Sequence, residues 1–482
     1  MRRTLMIALV LVAAVLIACP AMAGRVKHPS ELEFPDLTVE PLDYEELTFE
    51  NGMTGFFVED HEVPVVDIYM LIPVSAPPRE KTGLAGLTSW AVRNGGSENW
   101  PAERINEELE FVAASVEFGG GGGGMFGGGR SVSSSRAVTV RVNCLKKDLD
   151  LCLEILGDLL AHPVFPEEQI ELRKSTMLED IRRENDDPRG IANRELRKIL
   201  YGDHPMAWRS TVETVEGLTR DDVAWFYGQY YHPNTAIIGI SGDVTQDEIT
   251  AKLDAALAGW QPANVVLEPE PEIELTYEPG VYYVEKELNQ GVILIGHLGM
   301  NSLDENRIPV SIMNFVLGGG SFTSRITQKV RTDEGLAYSA YSQYGHDAFG
   351  YGLFRASSQT KAEATGRATT LIIDLIRQMQ EEGPTQDEFD RAVDSSINNR
   401  VFENDSKAGV VTRLVTYKFQ GRPLDTSERD LETLTNLTLE DVKAAAAEYL
   451  HPDGLVILVV GDEELFDQPM SHFGEVQVIE LD

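Results

Sequence analysis

An internal repeat of twenty-six residues is the strongest indication of how this chain folds. One copy, LTRDDVAWFYGQYYHPNTAIIGISGD, begins at Leu218, and the other, LTLEDVKAAAAEYLHPDGLVILVVGD, begins at Leu437. The copies align without a gap at a constant offset of 219 residues and share Leu-Thr, His-Pro and Gly-Asp at the same places. Self-similarity at a fixed offset is typical of duplicated architectures. The sequence therefore predicts a tandem duplication of an α+β unit.

The rest of the chain fits around this duplication. We predict an N-terminal extension at residues 24–44, a first domain at residues 45–260 and a second domain at residues 281–482. Between the domains, residues 261–280 are rich in proline and glutamate, which is typical of an extended linker. Within the first domain, residues 119–129 form a glycine-rich tract, which fits a hairpin connection or a flap with a binding role.

Residues 1–23 are predicted to be a signal peptide. Two arginines precede an apolar segment at residues 6–18, and the small-residue cleavage site Ala-Met-Ala ends at Ala23. An alternative interpretation is a lipobox, LIAC, in which Cys19 would carry a lipid anchor. We expect cleavage after Ala23 and an exported, periplasmic protein, the alternative being a membrane-anchored lipoprotein.

Net charge and cysteine content argue against several other classes of protein. The formal net charge of −37 is opposite to the basic face that a nucleic-acid-binding protein needs. No apolar segment after the signal peptide has the length of a transmembrane helix. After cleavage only Cys144 and Cys152 remain, and we interpret both as small buried hydrophobic residues, in preference to a disulfide.

A second distinctive segment, LGGGSFTSRITQKVRTDEGLAY, occupies residues 317–338. Its glycine loop, which we define as four consecutive small residues, consists of Gly318, Gly319, Gly320 and Ser321. We expect the glycines to end one helix and the hydroxyls of Ser321 and Thr323 to cap the next. Arg331 would lie in the last turn of that helix, and Tyr338 would follow it in a strand. A guanidinium and a phenol seven residues apart beside such a loop can converge on one polar point.

Two α+β halves and the string LGGG…SR…VR…GLAYS together resemble the insulinase, pitrilysin and mitochondrial processing peptidase family, peptidase family M16. The resemblance covers essentially the whole mature chain. It implies two processing-peptidase-like metallohydrolase domains, each an antiparallel-rich sheet flanked by helices, which form a clamshell. It also implies a zinc peptidase architecture that closes over an extended peptide, often as a dimer of such chains.

The residues that bind zinc in this family are absent at the matching positions. Active members carry HxxEH on a helix of the first half, where two histidines hold zinc and the glutamate acts as a base on the bound water. The matching helix here, GLAGLTSWAVRNGG, has Gly86, Ser89 and Trp90 at those three positions. The third ligand position falls at Asp180, or at Glu179 if the alignment shifts by one residue. We therefore expect a degenerate zinc site and no metal or other cofactor in this chain.

The second half keeps the family's other functional residues. In the family, the Arg and Tyr of the R…GLxY motif hold the substrate carbonyl and stabilise the oxyanion, and these match Arg331 and Tyr338. The glycine loop matches the family's substrate-handling loop, so its residues are candidate substrate-binding residues. A purely structural alternative is open for both side chains, since Tyr338 would suit a half-buried strand and Arg331 the end of a helix.

The resemblance thus predicts a non-catalytic subunit of an exported zinc metallopeptidase. Its partner would be an HxxEH-bearing homologue that holds the zinc, in a heterodimer, and its substrate a peptide or an unfolded protein segment. The chain pairing with itself is a second possibility for the dimer. The alternative function is a stand-alone pseudopeptidase that acts as a peptide-binding, chaperone-like or scaffold protein.

Overall fold

The structure, a computed structural model, describes residues 43–120 and 136–481, which belong to a single unit. The predicted signal peptide, Cys19 and residues 121–129 of the glycine-rich tract lie outside the described residues. In the described ranges, no helix is both long and apolar enough to cross a membrane. Cys144 and Cys152 are buried free thiols.

The first sheet has six strands in the order β1-β2-β6-β3-β5-β4. Their bounds are β1 Glu45–Thr48, β2 Thr54–Glu59, β3 Val65–Pro73, β4 Ser115–Gly120, β5 Ala137–Leu145 and β6 Ile237–Gly242. Strands β2 and β6 pair in parallel, and the other neighbours are antiparallel. Every residue of β6 is buried, which explains why its sequence is almost continuously apolar.

The second sheet repeats this arrangement. Its strands are β7 Gly280–Glu285, β8 Gln290–Leu298, β10 Ala337–Tyr344, β12 Leu353–Lys361, β13 Val456–Gly461 and β14 Val476–Val478, and the short β9 Met300–Asn301 and β11 His346–Asp347 pair separately. The order β10-β12-β8-β13-β7 has the same one parallel and three antiparallel pairings as β4-β5-β3-β6-β2. The predicted α+β class and its duplication are therefore confirmed.

Helices flank both sheets. The first half contributes α1 Leu84–Gly95, α2 Ala102–Val112, α3 Leu149–Ala161, α4 Glu167–Arg183, α5 Pro188–Tyr201, α6 Val212–Glu216, α7 Arg220–Tyr230 and α8 Gln246–Ala256. The second half contributes α9 Arg307–Asn314, α10 Thr365–Glu382, α11 Gln386–Arg400, α12 Lys407–Phe419, α13 Thr426–Asn436 and α14 Leu439–Tyr449. Residues 261–279 form neither helix nor strand, and Gly280, the last residue of the predicted linker, begins β7. Arg136 forms an ion pair with Glu270 of this segment at 2.8 Å.

The repeated Leu-Thr-x-x-Asp sequence is a helix cap in both halves. At the start of α7, the Thr219 N–H donates to the Asp222 carboxylate at 2.9 Å, and the Asp222 N–H donates back to the threonine hydroxyl at 3.2 Å. At the start of α14, Thr438 and Asp441 form the same reciprocal pair at the same two distances. This capping box provides hydrogen-bond acceptors for N–H groups that have no partner within the helix. It explains why the Leu-Thr-x-x-Asp sequence occurs in both halves.

Each half lends one helix to the other half's sheet. Helix α12, from the second half, packs on the first sheet, with Val411 and Leu414 against Phe56 and Leu71. Helix α5, from the first half, packs on the second sheet through a matching apolar face: Ile191, Ala192 and Leu196 against Val292, Leu294 and Leu458. The approach of α12 is close, since a Cβ atom at Gly239 of β6 would lie 2.9 Å from Val411. The two halves are therefore interlocked.

The exchanged helices are themselves repeat equivalents at the 219-residue offset. The Arg194 guanidinium of α5 donates to the Asn185 side chain at 2.9 Å, and the Arg413 guanidinium of α12 donates to the Asn404 side chain at 2.7 Å. Both bonds tie the helix to the loop that precedes it. The duplication therefore extends beyond the twenty-six residues that reveal it in the sequence.

Candidate functional site

The degenerate zinc positions lie on α1, as expected, in surroundings that suit packing. The Ser89 side chain is fully buried and lies beside the buried hydroxyl of Tyr231. Burial raises the pKa of Tyr231, so this phenol stays protonated and supplies no anionic ligand. Trp90 packs against the core of the first sheet, and Gly86 has no side chain to offer a metal.

The carboxylates at the third ligand position are not arranged to bind a metal either. On α4, Glu179 accepts a hydrogen bond from Arg183 at 2.6 Å and lies 3.7 Å from Arg182, while Asp180 is exposed. Across the described residues, no group of three or more His, Cys, Asp and Glu side chains is arranged to hold a metal ion. Since a zinc site needs three protein ligands, the residues present at this site do not fit zinc.

The glycine loop continues α9 without a break. Helix α9 passes into a π-helical segment, Phe315–Gly319, and the following turn, Ser321–Thr323, leads to a second helical segment whose π-helical part is Thr327–Asp333. The expected caps are not formed by Ser321 or Thr323, because the Thr323 hydroxyl donates backwards to the Gly320 carbonyl at 2.8 Å. Short π-helical segments are frequent at functional sites, and here two of them flank one loop.

The residues of the glycine loop differ in exposure. Gly318 is buried, Gly320 is half-buried, and Gly319 and Ser321 are exposed. A Cβ atom at Gly318 would lie 2.3 Å from the backbone nitrogen of Ser342 on β10, so glycine is required for this close approach. Gly318 therefore seats the loop on β10, and the exposed residues of the loop are the ones available for contact.

The close approach at Gly318 predicts a measurable cost of substitution. In Gly318→Ala the methyl group would collide with the Ser342 backbone, and we expect the free energy of unfolding in urea to fall by about 1–3 kcal/mol. The matched control is Gly228→Ala on α7, where nothing lies within 4 Å of the added atom. That variant should be neutral or gain up to about 1 kcal/mol. Equal effects at the two glycines would contradict the role given to Gly318.

A half-buried ion pair holds the second helical segment against α11. The Arg325 guanidinium donates to both oxygens of Glu388, at 2.8 and 2.7 Å. Burial alone would raise the pKa of Glu388, but the bonds from Arg325 and from the Thr385 N–H outweigh it and lower the pKa to about 2. The Ser-Arg of the sequence motif is therefore a scaffold element that fixes the helical segment carrying Arg331.

The structure brings Arg331 and Tyr338 together. Tyr338 is the extra residue of a β-bulge in β10, between Ala337 and Ser339, and its side chain is 81% exposed. The Arg331 guanidinium carbon lies 5.6 Å from the Tyr338 ring centroid, within range of a cation–π contact. Bulges redirect side chains and are common beside active sites. Its exposure argues against the half-buried strand position, the structural alternative for Tyr338.

A third side chain, which the sequence did not single out, joins this pair. The Phe322 ring centroid lies 4.7 Å from the Arg331 guanidinium carbon, and the phenylalanine side chain is 59% exposed. Among the described residues, no carboxylate pairs with Arg331 and no acceptor takes a hydrogen bond from its guanidinium. One signal for this contact was present in the sequence: a large apolar residue within a loop of small polar ones. Phe322, Arg331 and Tyr338 are called the aromatic–arginine cluster below.

The two predicted groups are separate in the described structure. Gly86, Ser89 and Trp90 lie on α1 of the first half, and the aromatic–arginine cluster lies beside β10 of the second half. No hydrogen bond, ion pair or ring contact within the described ranges joins the groups. The cluster offers guanidinium N–H and phenol O–H donors, and within the described ranges the residues at the degenerate zinc positions do not contact it.

Comparisons with known proteins match this fold. The family model described as insulinase (peptidase family M16) matches residues 76–212, and the model described as peptidase M16 inactive domain matches residues 217–396. The non-peptidase homolog YmxG of Helicobacter pylori is 24% identical over 441 residues, which cover 89% of this chain and 96% of the relative. An uncharacterized zinc protease of Streptomyces coelicolor is 26% identical over 313 residues, covering 64% of this chain and 68% of that one.

A solved structure supports the same assignment at the level of the fold. The crystal structure of a peptidase M16 inactive domain from Pseudomonas fluorescens superposes with a TM-score of 0.77 and 24% sequence identity, covering 89% of this chain and all of that one. Two models of one family match consecutive parts of the chain, and the two-sheet fold agrees with the solved structure of an M16 inactive domain. The chain therefore belongs to the insulinase family of peptidases, family M16.

Proposed function

We propose that this protein is the non-catalytic subunit of an exported metallopeptidase, and that it binds peptide beside its aromatic–arginine cluster. A partner chain with an intact HxxEH motif would hold the zinc and the general base. In the closed complex, Arg331 and Tyr338 would donate hydrogen bonds to the oxygen of the scissile carbonyl. This oxygen gains negative charge as a tetrahedral intermediate forms, and fixed donors stabilise that charge.

The observation that supports this proposal is a pair of donors, the exposed Tyr338 and the half-buried Arg331, for which no carboxylate partner occurs among the described residues. A β-bulge redirects the Tyr338 side chain, which is 81% exposed. The Arg331 guanidinium contacts two aromatic rings instead of a carboxylate. The same strand, β10, is the edge of its sheet, so an extended peptide could add to it as a further strand.

The proposal also explains the state of the first half. Gly86, Ser89 and Trp90 preserve the helix and its packing but supply neither ligand nor base. If the partner chain supplies the metal site, this chain needs to keep only the stability of its scaffold, and its own zinc ligands can be lost. The predicted signal peptide supports export of this complex from the cytoplasm.

The decisive experiment purifies the chain alone and together with an HxxEH-bearing homologue from the same organism, sought first in the adjacent reading frame. Zinc content and cleavage of a quenched-fluorescent peptide are then measured. We expect zinc and cleavage in the mixed sample, and neither in the chain alone. Stoichiometric zinc with cleavage by the isolated chain would overturn the proposal. Peptide binding by the isolated chain, with no effect of the homologue, would instead favour the stand-alone pseudopeptidase.

Substitutions in the mixed enzyme test the two donors directly. Loss of an oxyanion donor typically lowers kcat by about 10²–10³-fold, and we expect this for Arg331→Ala and Tyr338→Phe. The matched control is Arg377→Ala on α10, an exposed arginine of the same half that pairs with Asp453. It should leave kcat unchanged. If Arg331→Ala and Tyr338→Phe behave like the control, the oxyanion role is wrong.

A further inference from the structure

We propose that Phe322 is a positioning residue that holds the Arg331 guanidinium in place for substrate, an inference that rests on the proposed function. Its ring lies 4.7 Å from the guanidinium carbon, closer than the Tyr338 ring at 5.6 Å. Phe322 belongs to no hydrophobic core cluster of the described residues and is 59% exposed. Its contact with Arg331 therefore explains its place better than burial does.

The backbone around Phe322 is built to hold the ring in one position. Ser321, directly before it, has φ = +53°, in the left-handed region that non-glycine residues rarely adopt. The Ser324 hydroxyl, directly after the turn, donates to the Ser321 carbonyl at 2.8 Å. It lies 3.0 Å from the Thr327 hydroxyl, which donates to the Ala340 carbonyl of β10 at 2.7 Å. The turn that carries Phe322 is thereby fixed to the strand that carries Tyr338.

The geometry of a ring contact suits a guanidinium that must also bind substrate. An aromatic ring attracts the flat face of the guanidinium, whereas the N–H donors lie in its plane and point outward. A carboxylate partner would occupy those donors. Two aromatic rings can therefore restrict the long arginine side chain, which otherwise samples many rotamers, while its hydrogen-bonding edge stays free. This arrangement removes part of the ordering cost before substrate arrives.

The inference predicts a change in kcat without a matching change in KM. Phe322→Leu keeps an apolar side chain of similar size but removes the ring face, and Phe322→Tyr keeps the ring. With the partner present, we expect Phe322→Leu to lower kcat about twofold to fivefold and to leave KM within about twofold, because the contact is needed in the transition state. Phe322→Tyr should match the unsubstituted chain. The matched control is Phe402→Leu, another exposed phenylalanine of the second half.

A second measurement detects the contact between Phe322 and Arg331 in the isolated chain, without the partner subunit. In NMR spectra of chain labelled at arginine, ring currents should displace the Arg331 Nε–Hε resonance, which Arg331→Ala identifies. Phe322→Leu should move that resonance toward the position of exposed arginines, and Phe402→Leu should leave it in place. Circular dichroism confirms that each variant is folded. An Arg331 resonance that does not respond to Phe322→Leu would overturn the inference.

The two measurements separate failure of this inference from failure of the proposed function. If Arg331→Ala abolishes cleavage while Phe322→Leu leaves kcat unchanged, the positioning role is wrong and the proposed function stands. If Phe322→Leu raises KM alone, Phe322 is a binding contact and the positioning role is again wrong. If the unsubstituted pair of chains cleaves nothing, the proposed function fails, and the NMR response alone decides whether Phe322 holds Arg331.

Discussion

Replacing Asp430 with asparagine is expected to lower the free energy of unfolding by about 3–5 kcal/mol. Asp430, on α13, is 1% exposed and accepts two hydrogen bonds from Arg307, one of them at 2.5 Å. Arg400 and Arg422 also lie within 4 Å of its carboxylate, at 3.5 and 3.9 Å. Asparagine keeps the shape but removes the buried negative charge that Arg307, Arg400 and Arg422 share, so the attraction between these desolvated charges is lost.

The consequence reaches the candidate site because Arg307 is the first residue of α9, the helix that continues into the glycine loop. The measurement is urea unfolding followed by far-ultraviolet circular dichroism. The matched control is Asp425→Asn. Asp425 directly precedes α13 and forms an exposed ion pair with Arg429, which lies near the start of that helix. Exposed pairs contribute little, so this control should change stability by no more than about 0.5 kcal/mol. Similar losses in the two variants would show that Asp430 does not organise this cluster.

Truncating Leu414 on α12 to alanine is expected to cost about 2–5 kcal/mol and to destabilise both halves together. Leu414 is 2% exposed and belongs to the second half, yet it packs on the first sheet. All five tryptophans lie in the first half, so their fluorescence reports on that half, whereas circular dichroism reports on both. Because the halves exchange helices, the two signals should give one coincident transition, shifted equally.

Two further variants complete this test of the interlock. Leu196→Ala on α5, the reciprocal helix, should shift the tryptophan signal as well, although Leu196 packs on the second sheet. Leu172→Ala on α4 is the control, because Leu172 is 57% exposed, and it should stay within about 0.5 kcal/mol of the unsubstituted chain. Separate transitions for the two signals, with Leu196→Ala moving only one, would refute the interlock.

The duplication was predictable because its signal is local. Each copy repeats a capping box at the start of a helix, and a central strand that is buried on both faces and so is almost continuously apolar. The exchange of α5 and α12 has a weaker signal in the sequence. Glu184-Asn185-Asp186 recurs as Glu403-Asn404-Asp405 at the same offset, and Arg194 recurs as Arg413. The matching sequences show that these segments are equivalent but not which sheet each one covers.

The convergence of Arg331 and Tyr338 was predictable for a similar reason. A short helical segment and the strand that follows it leave few ways to place two side chains seven residues apart. The contact of Phe322 with Arg331 was not predictable, because it depends on a left-handed Ser321 and on hydroxyl bonds from the turn to β10. The helix cap expected at Ser321 and Thr323 failed because the Thr323 hydroxyl bonds the carbonyl of Gly320 behind it.

Features whose causes lie close together in the chain can be read from the sequence alone: the two-fold repeat, the strands and capped helices, and the absence of HxxEH side chains on α1. Long-range packing sets which half each exchanged helix covers, how three arginines surround Asp430, and how Phe322 contacts Arg331. These contacts join residues far apart in the chain or depend on single backbone angles. Their energy comes from burial and from the pairing of desolvated charges, which exist only once distant segments are packed together.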